Sequence, residues 1–165
     1  MKKQLLHSGW QLTTVGKNDT IPATVPGSVY NDLLNAGRME DPYWRDNEMK
    51  ALALMDEDYR YNTTFDVNAD VLNSERVLLR CEGLDTIADI VLNGEKIASV
   101  CNMHRTWEFD VKDSLKTTGN TLEIVFHSPT KYIKEQDKIC HAGGSDEAMV
   151  GFPNLRKAHC MFGWD

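Results

Sequence analysis

The chain has 165 residues, of which 41% are hydrophobic and 26% charged, the size and balance of one globular domain. Its formal net charge of −7 speaks against nucleic acid or anionic membrane as partner, because both demand a basic face, and nothing approaches the roughly 20 apolar residues of a membrane span. The basic start Met1-Lys2-Lys3 leads into only two leucines before His7, too few for the apolar stretch of a signal peptide, and the scattered Cys81, Cys101, Cys140 and Cys160 fit a reduced, cytoplasmic protein better than a disulfide scaffold.

One short helix is predicted near the N-terminus, from Ser28 to about Ala36. Pro26-Gly27 breaks the chain ahead of it, Ser28 can cap its first free amides, and Gly37 stands where the chain must leave it. Val29, Leu33 and Leu34 share a face at helical spacing, which would lie on a sheet edge. Most of the remainder alternates at period two. Tyr59, Tyr61, Thr63, Phe65 and Val67 alternate with Arg60, Asn62, Thr64 and Asp66. The same pattern recurs at Val77, Leu79 and Cys81, at Trp107, Phe109 and Val111, and at Leu122, Ile124 and Phe126. Each reads as a half-buried strand. Asn93-Gly94 joins Thr86–Leu92 to Glu95–Val100 as a hairpin, since a tight turn there needs residues tolerant of positive φ, and Gly119-Asn120 marks another turn. Short strands separated by turns predict an all-β fold, an antiparallel sandwich.

From Pro129 onward the pattern changes. Lys131–Lys138 is charged, and Ala142-Gly143-Gly144-Ser145 reads as a flexible loop. After Pro153 comes the compact tail Leu155-Arg156-Lys157-Ala158-His159-Cys160-Met161-Phe162-Gly163-Trp164-Asp165, whose residues suit burial better than a frayed terminus. The expectation is that the chain breaks off from a larger protein here.

A glycosidase needs two opposed carboxylates, about 5–5.5 Å apart for retention. Asp41, Glu48, Asp56, Glu57, Asp58, Glu82, Asp85 and Asp89 lie mostly at turns or on polar strand faces, so each reads as a cap or a solvated group. Cys140-His141 and His159-Cys160 do not have the spacing of a zinc finger or ribbon, and neither a nucleophile elbow nor a phosphate loop is present. No catalytic residue, metal or cofactor is therefore predicted. Trp164-Asp165 stands apart. An aromatic face against sugar C–H groups, beside a carboxylate accepting hydroxyl hydrogen bonds, is a common way to hold a sugar. The competing reading is a packed Trp with an Asp capping a turn.

Four stretches taken together carry a resemblance. They are Val25-Pro26-Gly27-Ser28-Val29-Tyr30-Asn31-Asp32-Leu33-Leu34, Glu40-Asp41-Pro42-Tyr43-Trp44-Arg45-Asp46-Asn47-Glu48, the run from Gly83-Leu84-Asp85-Thr86 to Leu92-Asn93-Gly94, and Arg156-Lys157-Ala158 with Phe162-Gly163-Trp164-Asp165. From about Trp10 to Asp165 the chain resembles the N-terminal domain of β-mannosidases of glycoside hydrolase family 2. The resemblance implies a galactose-binding-like jelly-roll β-sandwich over residues 1–165, docked in the full enzyme on a (β/α)8 barrel that supplies both catalytic glutamates of a retaining mechanism. It implies hydrolysis of terminal non-reducing β-D-mannose residues. By the resemblance Asp165 and Trp164 would hold the terminal mannose at the pocket rim, while Arg156 and Lys157 match the motif with packing of the tail, rather than contact with sugar, as their role. The family tail normally continues Gly-Trp-Asp-Trp-Gly, so the chain would stop inside a substrate-facing motif. Two alternatives stay open: a free-standing carbohydrate-binding module, and the same domain of a family 2 β-galactosidase or β-glucuronidase.

Overall fold

A computed structural model describes residues 2–141 and 150–162. The period-two segments form strands β1 Gln11–Thr14, β2 Thr20–Pro22, β3 Tyr59–Phe65, β4 Leu78–Glu82, β5 Ile87–Leu92, β6 Glu95–Cys101, β7 Thr106–Asp110 and β8 Asn120–Phe126. Among the described residues six of them make one sheet in the order β2-β1-β3-β8-β5-β6, and β4 pairs with β7 in a second. Every pairing between these strands is antiparallel. Tyr59 faces Phe126 and Phe65 faces Asn120 across β3 and β8, so these central strands run in register along their whole length.

The core lies between the two sheets. Leu12, Tyr61, Ala88, Ile90, Leu92, Leu122 and Ile124 come from the larger sheet, and Cys81 comes from the smaller, with Leu79, Trp107 and Phe109 packed against them. These are the positions that alternation assigns to one face, because side chains two apart share a side of a strand. Burial pushes the Cys81 thiol up to about 11, so it behaves as an apolar core residue. The hairpin turn is where the sequence predicts it. Asn93 has φ 52° and Gly94 φ 84°, both in the left-handed region that a two-residue turn of this hand requires.

The predicted helix is α1, Val29–Asn35, and its ends are built as expected. Ser28 Oγ accepts from the Asn31 amide at 3.3 Å. At the other end Gly37 has φ 66°, with Gly37 N–H donating to Leu34 O and Arg38 N–H to Leu33 O, the bond pair of a Schellman stop. The buried face differs from the expected one. Leu33 is buried and Leu34 is exposed, because the inner face is shared with a carboxylate. Asp32, only 2% exposed, accepts from Thr24 N–H and from Tyr61 O–H, each at 2.9 Å. Helix α1 is thus fastened to β3 through a buried polar link.

Among the described residues three α-helices are found beyond the one expected: α2 Asn47–Ala53, α3 Ala69–Leu72 and α4 Pro129–Ile139. The charged run at 131–138 belongs to α4. Its start carries a legible signature, since Ser128 accepts from Lys131 N–H and Pro129 sits in the first turn. Its charges line the solvent face, while Thr130 and Ile133 share the buried one. The predicted loop at 142–145 lies outside the described residues.

Candidate functional site

One end of the larger sheet gathers most of what the fold could use. There β3 begins, β8 ends, β5 begins and β6 ends, as the pairings Tyr59–Phe126 and Ile87–Cys101 require. The tail returns to this end. Gly151, with φ 82°, passes over Ile133 and Asp137 of α4, and a short turn at Phe152–Asn154 leads into Leu155, which is buried. Arg156 then bridges Asn102 in parallel, and its carbonyl accepts from Met103 N–H at 3.1 Å. Lys157 Nζ donates to the Asp85 carboxylate, with both side chains largely covered. Ala158 N–H points at the Met103 sulfur. Through Arg156, Lys157 and Ala158 the tail is therefore tied to two loops of the sandwich, between β4 and β5 and between β6 and β7.

The loop between β6 and β7 is itself braced. Asn102 Oδ1 accepts from His104 N–H at 2.9 Å and Asn102 O from Trp107 Nε1–H at 3.2 Å, while the Arg105 guanidinium stacks 4.4 Å from the Trp107 ring centre. Beside it, His127 lies between two carboxylates, with Nδ1 3.2 Å from Asp58 and Nε2 3.1 Å from Asp89. Asp89 is also bonded by Ser99 Oγ at 2.7 Å and Lys96 Nζ at 2.8 Å. Partial desolvation pushes its carboxyl up, but the hydrogen bonds from Lys96, Ser99 and His127 outweigh this and hold it at about 2. Asp58 accepts from Ser128 N–H at 2.8 Å, and Asp56 from Thr130 Oγ1 at 2.6 Å. The Thr130 hydrogen bond, helped by Lys134, lowers the Asp56 carboxyl.

The carboxylates collected here thus fasten loops and helix starts. Asp41 also follows the expectation of a turn role, accepting from Tyr43 N–H at 2.9 Å. Trp164 and Asp165, the predicted sugar-binding pair, lie outside the described residues. Lys157 packs the tail, and Arg156 contributes through its backbone with its side chain exposed. Asn102, Met103 and Asp32 were missed by sequence reasoning. Asp32 falls within the helix motif and Asp85 within Gly83-Leu84-Asp85-Thr86, which was the available signal.

Two antiparallel sheets around a shared core, with a tail pinned across one end, define a sandwich of the galactose-binding-like class. Residues 10–165 match the glycosyl hydrolase 2 galactose-binding domain-like family, and the chain belongs to it. It is 31% identical to the β-mannosidase of Bos taurus over 97% of its own length and 19% of that protein. It is 34% identical to β-mannosidase A of Emericella nidulans, over 94% of this chain and 17% of the relative. Its fold superimposes on the β-D-mannosidase of Dictyoglomus thermophilum with a TM-score of 0.86 at 35% identity, covering 97% of this chain and 20% of that one. The chain spans about one-fifth of the length of the relatives it matches.

Proposed function

We propose that residues 1–165 are the N-terminal accessory domain of a retaining β-mannosidase that hydrolyses terminal non-reducing β-D-mannose residues. The observation that carries this reading is the similarity to proteins named β-mannosidase along almost the entire chain, at 31% and 34% identity. It is favoured over a free-standing binding module because those relatives are about five times longer. The sandwich is read as a jelly roll docked on a (β/α)8 barrel, which supplies both catalytic glutamates. Asp165 accepts hydrogen bonds from hydroxyls of the terminal mannose and Trp164 covers its C–H face. The Lys157–Asp85 and Arg156–Met103 contacts support this role, since they tie the tail to the sandwich a few residues ahead of the Trp164-Asp165 pair. The unpaired cysteines at 81, 101, 140 and 160 support a reducing, cytoplasmic setting.

The test is a panel of aryl glycosides presented to the polypeptide translated from the full reading frame. The mannoside is expected to be turned over at least ~100-fold better than the galactoside or glucuronide, a discrimination of about 3 kcal/mol. The 165-residue chain alone is expected to be inactive, and calorimetry is expected to detect no binding of manno-oligosaccharide to it. Preference for the galactoside or glucuronide would remove the mannosidase reading, and tight binding of manno-oligosaccharide by the short chain would favour the module.

A further inference from the structure

The segment from Glu40 to Leu52 carries a motif that no role described above absorbs. Its side chains are turned outward in an unusual way. Tyr43 is 95% exposed and Trp44 63% exposed, with Met49 and Leu52 also on the surface of α2. Arg45 follows at φ 56°, a left-handed conformation uncommon for a residue with a side chain, and its guanidinium lies 5.6 Å from the Trp44 ring centre. This projection is fixed in place. Asp41 binds Tyr43 N–H, and Asn47 Nδ2 donates to Asp41 O at 3.0 Å. Tyr30 O–H donates to Ala51 O at 2.6 Å and Tyr59 O–H to Leu54 O at 3.0 Å, which clamps α2 and the turn after it to the sandwich. Two adjacent aromatics, an arginine, a methionine and a leucine on a rigid base cost hydration free energy while they face water. Tyr, Trp and Arg are also the residues that dominate binding energy at protein interfaces.

We infer that Tyr43, Trp44, Met49 and Leu52 form the docking surface for the remainder of a longer polypeptide of which this chain is one part. The inference rests on the glycosidase reading above and adds the face that docks. The occupant is argued from two observations. The relatives carry about four-fifths of their length outside the matched region, and that mass needs a surface to pack on. The apolar surface also leads toward the tail. The turn after α2 packs on α4, and α4 packs on the turn at 152–154. Ile139, Val150 and Met161 continue the exposed apolar residues along that route. The turn that follows α2 and the turn that opens the tail therefore pack on the same helix, α4.

Hydroxyl-radical footprinting read by mass spectrometry tests this on two proteins, the 165-residue chain and the product of the full reading frame. Leu5, exposed at the opposite end near the Gln4–Asp66 contact, serves as the internal reference. Modification of Tyr43, Trp44 and Met49 is expected to fall about tenfold in the longer protein relative to Leu5, as for residues enclosed at an interface centre. Equal modification in both proteins would overturn the inference. So would protection already present in the short chain together with its self-association, since the occupant would then be a second copy. Mannoside turnover by the same preparation scores the glycosidase reading separately. A protected surface on an enzyme selective for another sugar keeps the docking face and removes the mannosidase assignment.

Discussion

Lys157 reaches the Asp85 carboxylate from the tail, and the two side chains keep only 21% and 27% of their exposure. The pair spans 72 positions of sequence and ties the tail to the loop that opens β5. A partly covered, charge-assisted bond of this kind is worth about 1–3 kcal/mol, and removing one partner leaves the other poorly solvated. Lys157→Ala is accordingly expected to lower the melting temperature by roughly 2–8 °C. In the full-length enzyme it is expected to raise KM for an aryl β-mannoside more than it lowers kcat, because it loosens the tail without touching the reacting atoms. A melting temperature and KM both within error of wild type would show that the pair holds nothing.

The buried carboxylate of Asp32 gives a second prediction. It accepts from Thr24 N–H and Tyr61 O–H, and burial together with that bond pushes the Tyr61 hydroxyl far up. Asp32→Ala strands the buried Tyr61 hydroxyl and frees the part-buried Thr24 amide, and is expected to cost about 2–4 kcal/mol, whereas Tyr61→Phe removes one bond and is expected to cost about 1–2 kcal/mol. A double-mutant cycle by urea unfolding should give a coupling energy above ~1 kcal/mol. Additive effects would contradict a direct bond.

Asp89 predicts the acid limb of stability. Its carboxyl is held at about 2 in the folded chain, against about 3.9 when unfolded. The unfolded state takes up a proton first as pH falls, so the stability it contributes is present above about pH 4 and is lost between about pH 4 and pH 2. Asp89→Asn is expected to flatten that part of the profile while lowering stability at pH 7, as read by thermal unfolding across pH. An unchanged acid limb in the variant would assign the loss to other groups.

The hairpin turn tests the backbone argument alone. Gly94, at φ 84°, has open space where a Cβ would stand, so Gly94→Ala is expected to destabilise by about 1 kcal/mol through conformation only. Chemical unfolding measures it, and a neutral result would mean that the turn relaxes to another type.

How far the sequence could be read follows from what each segment shows locally. Strands β3, β7 and β8 alternate over five residues or more, and α1 carries both caps, so their positions were legible. Strands β1 and β2 have four and three residues, too few for a period to stand out, and they exist through pairing with β3 and each other. Helix α4 was hidden by its own charges, although Ser128-Pro129 announced its start. Asp32 reads as a surface residue because nothing local to a helix reveals that a tyrosine 29 positions away will meet it. The Lys157–Asp85 contact is equally non-local. Trp164 and Asp165 were singled out by their chemistry and by family resemblance, while the tail's attachment had to be seen in three dimensions.

The proposed role of Asp165 is to hold a terminal mannose at the rim of the pocket of a longer enzyme. Kinetics of Asp165→Ala in the full-length enzyme test it most directly. The variant is expected to fold while its kcat/KM for an aryl β-D-mannoside falls about 10²–10³-fold, the loss of roughly 3–4 kcal/mol of hydrogen bonding to sugar hydroxyls. A kcat/KM equal to wild type in the folded variant would contradict it.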